Sequence, residues 1–153
     1  SSKSANYYKK YYVYALYKLN YLNHPNFLIF IYIKLENTKI GTGFTFVRSE
    51  YKLSYDNKNY YVDLLLFNYK LNRFIVCELK LNSVNARDIG QTLNYIKIID
   101  KTLKEKNHKN TIGIIVSKRN NKFILEYVSD LSLMLTTYKL ENNLKKLWHK
   151  LMS

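Results

Sequence analysis

An aspartate, fourteen intervening residues and then Glu-x-Lys make up the chemically loaded pattern of this 153-residue chain: Asp63, Glu78 and Lys80. Asp63 lies inside the apolar run Val62-Asp63-Leu64-Leu65-Leu66, and Glu78 and Lys80 lie in Ile75-Val76-Cys77-Glu78-Leu79-Lys80. A carboxylate within a strand core is costly unless it is paired or bound to a metal. Two carboxylates held close repel each other and raise a pKa, and a divalent cation relieves that. Oxygen donors suit Mg2+ or Mn2+, which keep waters and bind through one or two carboxylates. Such a cation lowers the pKa of water and stabilises charge on a phosphate. The chemistry on offer is a metal-activated water acting at a phosphate, with Asp63 and Glu78 as ligands and the Leu79 carbonyl able to complete the shell. Lys80 would orient the water or neutralise the phosphorane. The same residues could instead brace a sheet as a partly buried ion triad, because structural networks also place charges this way.

Positioning these groups requires a hairpin. Tyr60 to Phe67 reads as a central strand, Asn68 to Arg73 as a turn and Phe74 to Leu81 as the next strand. A four-residue loop, Tyr69 to Asn72, sets Asn68 opposite Arg73 and therefore Asp63 opposite Glu78. Opposed residues share a face with Cβ atoms about 4.5–5.5 Å apart. Lys80, two residues beyond Glu78, shares that face too. Cys77 then points to the other side and is a core residue rather than a nucleophile.

The remaining elements follow from pattern. Residues 1–24 form a Tyr/Lys-rich extension whose periodicity fits strand or helix equally, and 25–153 form one domain. Asn23-His24-Pro25 marks a helix start before Phe27 to Leu35. After a break at Gly41-Thr42-Gly43, strands are expected over Phe44 to Val47 and Tyr51 to Tyr55, then a turn at Asp56 to Asn59. Ile89, Leu93, Ile96, Asp100 and Leu103 recur at helical spacing, predicting a helix over Asn85 to Lys106. Strands are expected over Thr111 to Ser117 and Lys122 to Val128. A short edge segment, Leu133 to Leu140, and an amphipathic helix, Glu141 to Leu151, close the chain. The fold class is α/β: a mixed β-sheet flanked by helices, in the order α-β-β-β-α-β-β-α.

Charge narrows the partners. Lys+Arg number 25 against 11 Asp+Glu, a formal net charge of +14. That balance favours polyanions, nucleic acid above all. The four arginines, Arg48, Arg73, Arg87 and Arg119, are outnumbered by lysine, and Lys, Asn, Ile and Tyr abound as an AT-rich genome would write them. The basic residues form no polybasic block, which argues against a membrane-surface role. The apolar run around Phe27–Ile33 is shorter than the about 20 residues of a bilayer span. One cysteine excludes a disulfide framework, and a cytoplasmic, reducing setting is the default. His24, His108 and His149 have no metal-ligand spacing and read as surface residues. The sixteen tyrosines read mostly as core or strand residues; some in Tyr7–Tyr12 could stack on bases or make oligomer contacts.

Asp63 followed by Glu78-Leu79-Lys80 resembles the core of the PDDEXK nuclease superfamily, and the wider run resembles its YhcG-type nuclease domain. The matching stretches are Gly41 to Val47, Tyr61 to Phe67, Val76 to Lys80, Ile89-Gly90-Gln91, Thr111 to Ile115 and Leu125-Glu126-Tyr127. The resemblance implies a restriction-endonuclease-like fold and Mg2+- or Mn2+-dependent cleavage; the preference for DNA over RNA rests on it alone. It assigns Asp63 and Glu78 to the metal, makes Lys80 the catalytic lysine and gives Gln91 a supporting role in the site. It also admits a homodimer, since such enzymes pair to cut both strands. Arg87, one turn before Gln91, shares its helix face and could reach phosphate.

The chain departs from that pattern in three places. The first-helix acid, expected near Asn26, is missing, with Glu36 the nearest candidate. Ser49-Glu50 replaces the family's Arg-Gln pair, so Glu50 is either a compensating acid or a surface residue. Where the family usually carries a separate N-terminal helical domain, this sequence has only some 25 Tyr/Lys-rich residues. Two other readings therefore stand beside the enzyme: a catalytically weak or inactive nuclease-fold module that binds nucleic acid or a partner protein, and a purely structural interaction domain. Salt-sensitive binding separates these last two.

Overall fold

The computed structural model describes Tyr14 and residues 16–36, 41–119, 122–127 and 138–139. Its centre is a six-stranded mixed sheet in the order β1-β2-β3-β4-β5-β6. The strands are β1 (Phe44–Tyr55), β2 (Lys58–Asn68), β3 (Arg73–Lys80), β4 (Ile112–Arg119), β5 (Lys122–Tyr127) and β6 (Tyr138–Lys139). Two helices flank them, α1 (Phe27–Glu36) and α2 (Ala86–Thr102), and residues 16–23 form a further helical stretch before α1. The α/β architecture is the expected restriction-endonuclease-like one. The predicted C-terminal helix lies outside the described residues, as does most of the Leu133 to Leu140 segment.

Apolar alternation sorts the side chains into two cores. Leu64, Leu66, Ile75, Cys77 and Leu79 pack with Phe27, Phe30, Ile31 and Leu35 of α1. Leu65, Phe74 and Val76 pack with Tyr95, Ile96, Ile98 and Ile99 of α2. Each helix therefore covers one face of the sheet. Helix α1 is rich in β-branched and aromatic residues of modest helix propensity, so packing rather than propensity holds it.

Turn chemistry sets the registers. Asp56 and Asn57 both have positive φ, 52° and 60°, between the paired Tyr55 and Lys58. This is the two-residue turn whose twist suits a hairpin. The β2–β3 loop spans Tyr69 to Asn72, with Asn68 opposite Arg73 as expected. The buried Asn68 holds it: its Oδ1 accepts from the N–H groups of Lys70 and Leu71, each at 3.0 Å. Gly43 has φ +107°, and a Cβ there would lie 2.9 Å from Lys70 Cγ and 3.0 Å from Asn68 Oδ1. Strands β3 and β4 are parallel, and α2 makes the crossover between them.

Three expectations need correction. The two strands expected at Phe44 to Val47 and Tyr51 to Tyr55 are one strand, because a bulge between Phe46 and Arg48 absorbs the irregularity and pairing resumes. The buried face of α2 is rotated from the predicted stripe. Thr92, Tyr95, Ile98 and Ile99 are inside, whereas Ile89 and Leu93 are 38% and 42% exposed. His108 is half-buried rather than a surface residue, its ring 5.0 Å from Phe67 and 5.6 Å from Phe74. Asp100, the polar member of the α2 stripe, accepts from Thr111 N–H at 3.1 Å and Thr111 Oγ1 at 2.6 Å, tying α2 to the start of β4.

Candidate active site

The ladder between β2 and β3 runs from Asn68–Arg73 to Leu64–Cys77. Beyond that rung, side chains take over from backbone partners. Asp63 N–H donates to Glu78 Oε1 at 3.2 Å, and Leu79 N–H donates to Asp63 Oδ2 at 2.7 Å. The alternation along β2 also breaks here: Val62 and Leu65 both join the α2 core, while Leu64 faces α1. The two acids thus meet where the strands part, each fixed by the other strand's backbone. Cys77, between them and the α1 core, is 2% exposed, and burial pushes its thiol far up, which suits a packing role.

Electrostatics mark the pair. Burial raises the Glu78 carboxyl well above its ordinary value, and the neighbouring Asp63 charge raises it further. Asp63 is 8% exposed and carries an ion pair, Lys18 Nζ to Oδ2 at 2.8 Å. Burial alone would lower the Lys18 ammonium, but Asp63 and Glu78 together outweigh it and hold it above the usual lysine range.

Lys80 does not join the two carboxylates, contrary to the expected convergence of all three groups. Its ammonium lies 3.2 Å from Asp88 Oδ1, at the first turn of α2. Asp88 is itself fixed in a capping box. Its Oδ2 accepts from Asn85 N–H at 2.9 Å, and Asn85 Oδ1 accepts from Asp88 N–H at 3.0 Å. Gln91 donates through Nε2 to Tyr95 Oη at 2.7 Å. The Tyr95 hydroxyl is pushed up by burial and by the Glu78 and Asp63 charges.

These groups surround a pocket of about 200 Å3 at the carboxyl end of β3, lined by Tyr14, Lys18, Glu78, Lys80, Asp88 and Gln91, with Leu79, Thr92 and Ile115 completing the wall. Four of the expected residues, Glu78, Leu79, Lys80 and Gln91, line it, and Asp63 adjoins it through Lys18 and Glu78. Asn26, Glu36, Glu50 and Arg87 do not line it. Glu50 is exposed, with φ 50°.

The donor set fits one hard divalent cation. Two carboxylates converge, Leu79 lines the same pocket, and water can fill the remaining positions. Among the described residues no three of His, Cys, Asp and Glu come together in a group that could hold a metal ion.

Sequence reasoning missed Lys18, Tyr14 and Asp88. Asp88 was findable: Asn85-x-x-Asp88 at the head of a predicted helix is a capping signal. Lys18 carried none, because only folding brings it to Asp63.

A mixed sheet thus carries one helix on each face, two acids where β2 and β3 part, and a lysine two residues beyond Glu78 on β3. The model of the YhcG PDDEXK nuclease domain matches residues 28–152, and the chain belongs to that family. No match is found among curated proteins. Among solved structures the chain is similar to a repair endonuclease from Pyrococcus abyssi, at 18% identity and a TM-score of 0.42. The similarity covers 77% of this chain and 40% of that one, so the chain spans two-fifths of that protein. No helix among the described residues is long and apolar enough to cross a membrane.

Proposed function

We propose that this domain is a Mg2+- or Mn2+-dependent nuclease that hydrolyses phosphodiester bonds in DNA. The carrying observation is the meeting of Asp63 and Glu78 at the parting of β2 and β3, each held by the opposite strand's backbone. Membership of a PDDEXK nuclease family and a net charge of +14 support the reading.

Asp63, Glu78 and the Leu79 carbonyl would hold the cation. When bound, it supplies a water of lowered pKa and stabilises charge on the phosphate. Lys80 presents an ammonium on the pocket wall, and Asp88 orients it from the rigid first turn of α2. That charge would offset the negative charge developing on the scissile phosphate. Gln91 lines the same pocket with its amide braced on Tyr95, in position to hold water or a phosphate oxygen.

The test is cleavage of supercoiled plasmid, linear duplex, single-stranded and branched DNA with Mg2+, with Mn2+ and with EDTA. Wild-type protein should cut only with a cation. Glu78→Ala should lower the rate by about 10²–10³-fold or more while leaving DNA binding intact. Cutting by Glu78→Ala at the wild-type rate would sink the assignment.

One observation favours a second reading, a nuclease-fold module that binds DNA or a partner without cutting. The pocket holds Glu78 and Asp88 but no acid from α1, and Asp88 is committed to Lys80 and its cap. Salt-sensitive DNA binding without cation-dependent cleavage would select it.

A further inference from the structure

Tyr14, Lys18 and Tyr21 are spaced i, i+4 and i+7, and Lys18 and Tyr21 lie on the helical stretch before α1. All three reach the sheet. Tyr14 Oη accepts from Leu81 N–H at 3.3 Å, and the Lys80 ammonium lies 5.6 Å from the centre of its ring. Lys118 Nζ donates to Tyr21 Oη at 2.6 Å. Between them Lys18 caps Asp63 at 2.8 Å.

The two ends of this stretch are held differently. Tyr21 and Leu22 pack on the α1 core. Leu16, Tyr17 and Leu19 are 48%, 61% and 37% exposed. The part that carries Lys18 is therefore held by polar tips rather than by apolar burial. Segments with few buried apolar contacts open locally at low free energy.

Asp63 Oδ2 already accepts from Leu79 N–H and Lys18 Nζ. A divalent cation on the same carboxylate would stand a few ångströms from the Lys18 ammonium, in a partly desolvated site where like charges repel strongly. The two cations therefore compete for Asp63.

We propose that Lys18 is a built-in counter-cation for Asp63 that the divalent cation must displace, so that residues 16–20 strap the cation-free site closed and lift when it binds, pivoting on the anchored Tyr21 and Leu22. This rests on the metal-dependent reading above. The strap also walls the pocket through Lys18, so lifting it widens the site for a polyanionic backbone.

The test is Mn2+ titration of the whole chain by calorimetry for wild type, Lys18→Met, Lys18→Arg and Glu78→Ala. Lys18→Met keeps the aliphatic stem and removes the competing charge, so it should bind Mn2+ several-fold more tightly. Lys18→Arg restores a cation on Asp63 and should return the affinity to near wild type. In wild-type protein, Mn2+ should speed amide exchange in residues 16–20, a readout that stands even if Lys18→Met fails to fold. An affinity in Lys18→Met equal to or weaker than wild type, or unchanged exchange in the strap, would overturn the proposal while leaving the nuclease reading intact. Loss of cleavage in Lys18→Met at unchanged affinity would make Lys18 a catalytic residue and overturn it equally. Wild-type protein that binds no Mn2+ above the Glu78→Ala background would overturn both.

Discussion

The Leu79 N–H donates to the Asp63 carboxylate across 2.7 Å, in the place where the β2–β3 ladder would have added a rung. A backbone donor buried at a strand parting needs an acceptor. Here a functional side chain provides it, so the same contact that completes the sheet also aims one oxygen of the candidate site.

That dual role makes Asp63 a stability residue as well. Asp63→Ala leaves Leu79 N–H without its acceptor and Lys18 without its counter-ion. The expected loss is about 2–4 kcal/mol, in line with breaking a buried charge pair and orphaning a donor. Asp63→Asn, which keeps an acceptor oxygen, should lose less. Urea unfolding of the two variants beside wild type checks the order.

Glu78 should behave in the opposite sense. Its folded carboxyl titrates well above its ordinary value of 4.5, because burial and the Asp63 charge disfavour ionisation. A raised folded value means that the contribution to stability is fully present below the unfolded value and is lost as pH rises through the folded one. The cation-free protein should therefore lose stability as pH climbs from the ordinary value of 4.5 through that folded value. Glu78→Gln should remove this slope and be more stable than wild type at neutral pH without metal. Thermal melts in EDTA across pH 4 to 8 test it; a variant less stable than wild type at pH 7 would contradict the expected sign.

Cation binding should reverse the penalty. A ligand that binds only the folded chain stabilises it by about 2.7 kcal/mol at one hundred times its dissociation constant. Mg2+ or Mn2+ should raise the melting temperature of wild type and leave Glu78→Ala unmoved. Ca2+, which accepts the same oxygen ligands, should stabilise as well.

Asp88 joins the cap of α2 to Lys80, so its variants should separate two effects. Asp88→Ala removes half of the capping box and the counter-ion of Lys80, lowering stability by about 1 kcal/mol. Asp88→Glu keeps the charge but misplaces it, and should reduce kcat more than stability. Equal cleavage rates in wild type and Asp88→Ala would show that Lys80 needs no such orientation.

Gly43→Ala should destabilise by about 1–3 kcal/mol. It strains a backbone at φ +107° and presses a methyl against Lys70 and Asn68, which hold the β2–β3 loop. A melt matching wild type would show that this loop tolerates both.

The local sequence was enough to determine the hairpin and its register. Asn68 and the four-residue loop are contiguous, and the period of two along each strand then carries Asp63 to the level of Glu78. The head of α2 was equally legible, because a capping box acts over three residues. Alternation also assigned Cys77 to the α1 core, away from Glu78. What failed was information of longer range. The bulge in β1 and the rotation of α2 depend on how each element meets the sheet. The partners of the charges were the largest surprise. An ammonium takes whichever carboxylate the packing brings within reach, and long flexible stems leave little trace of that choice in spacing. Chemistry-bearing residue types and strand periodicity thus determined the two acids, whereas tertiary packing alone decided that Lys80 answers to Asp88 and that Lys18, from a distant helical stretch, answers to Asp63.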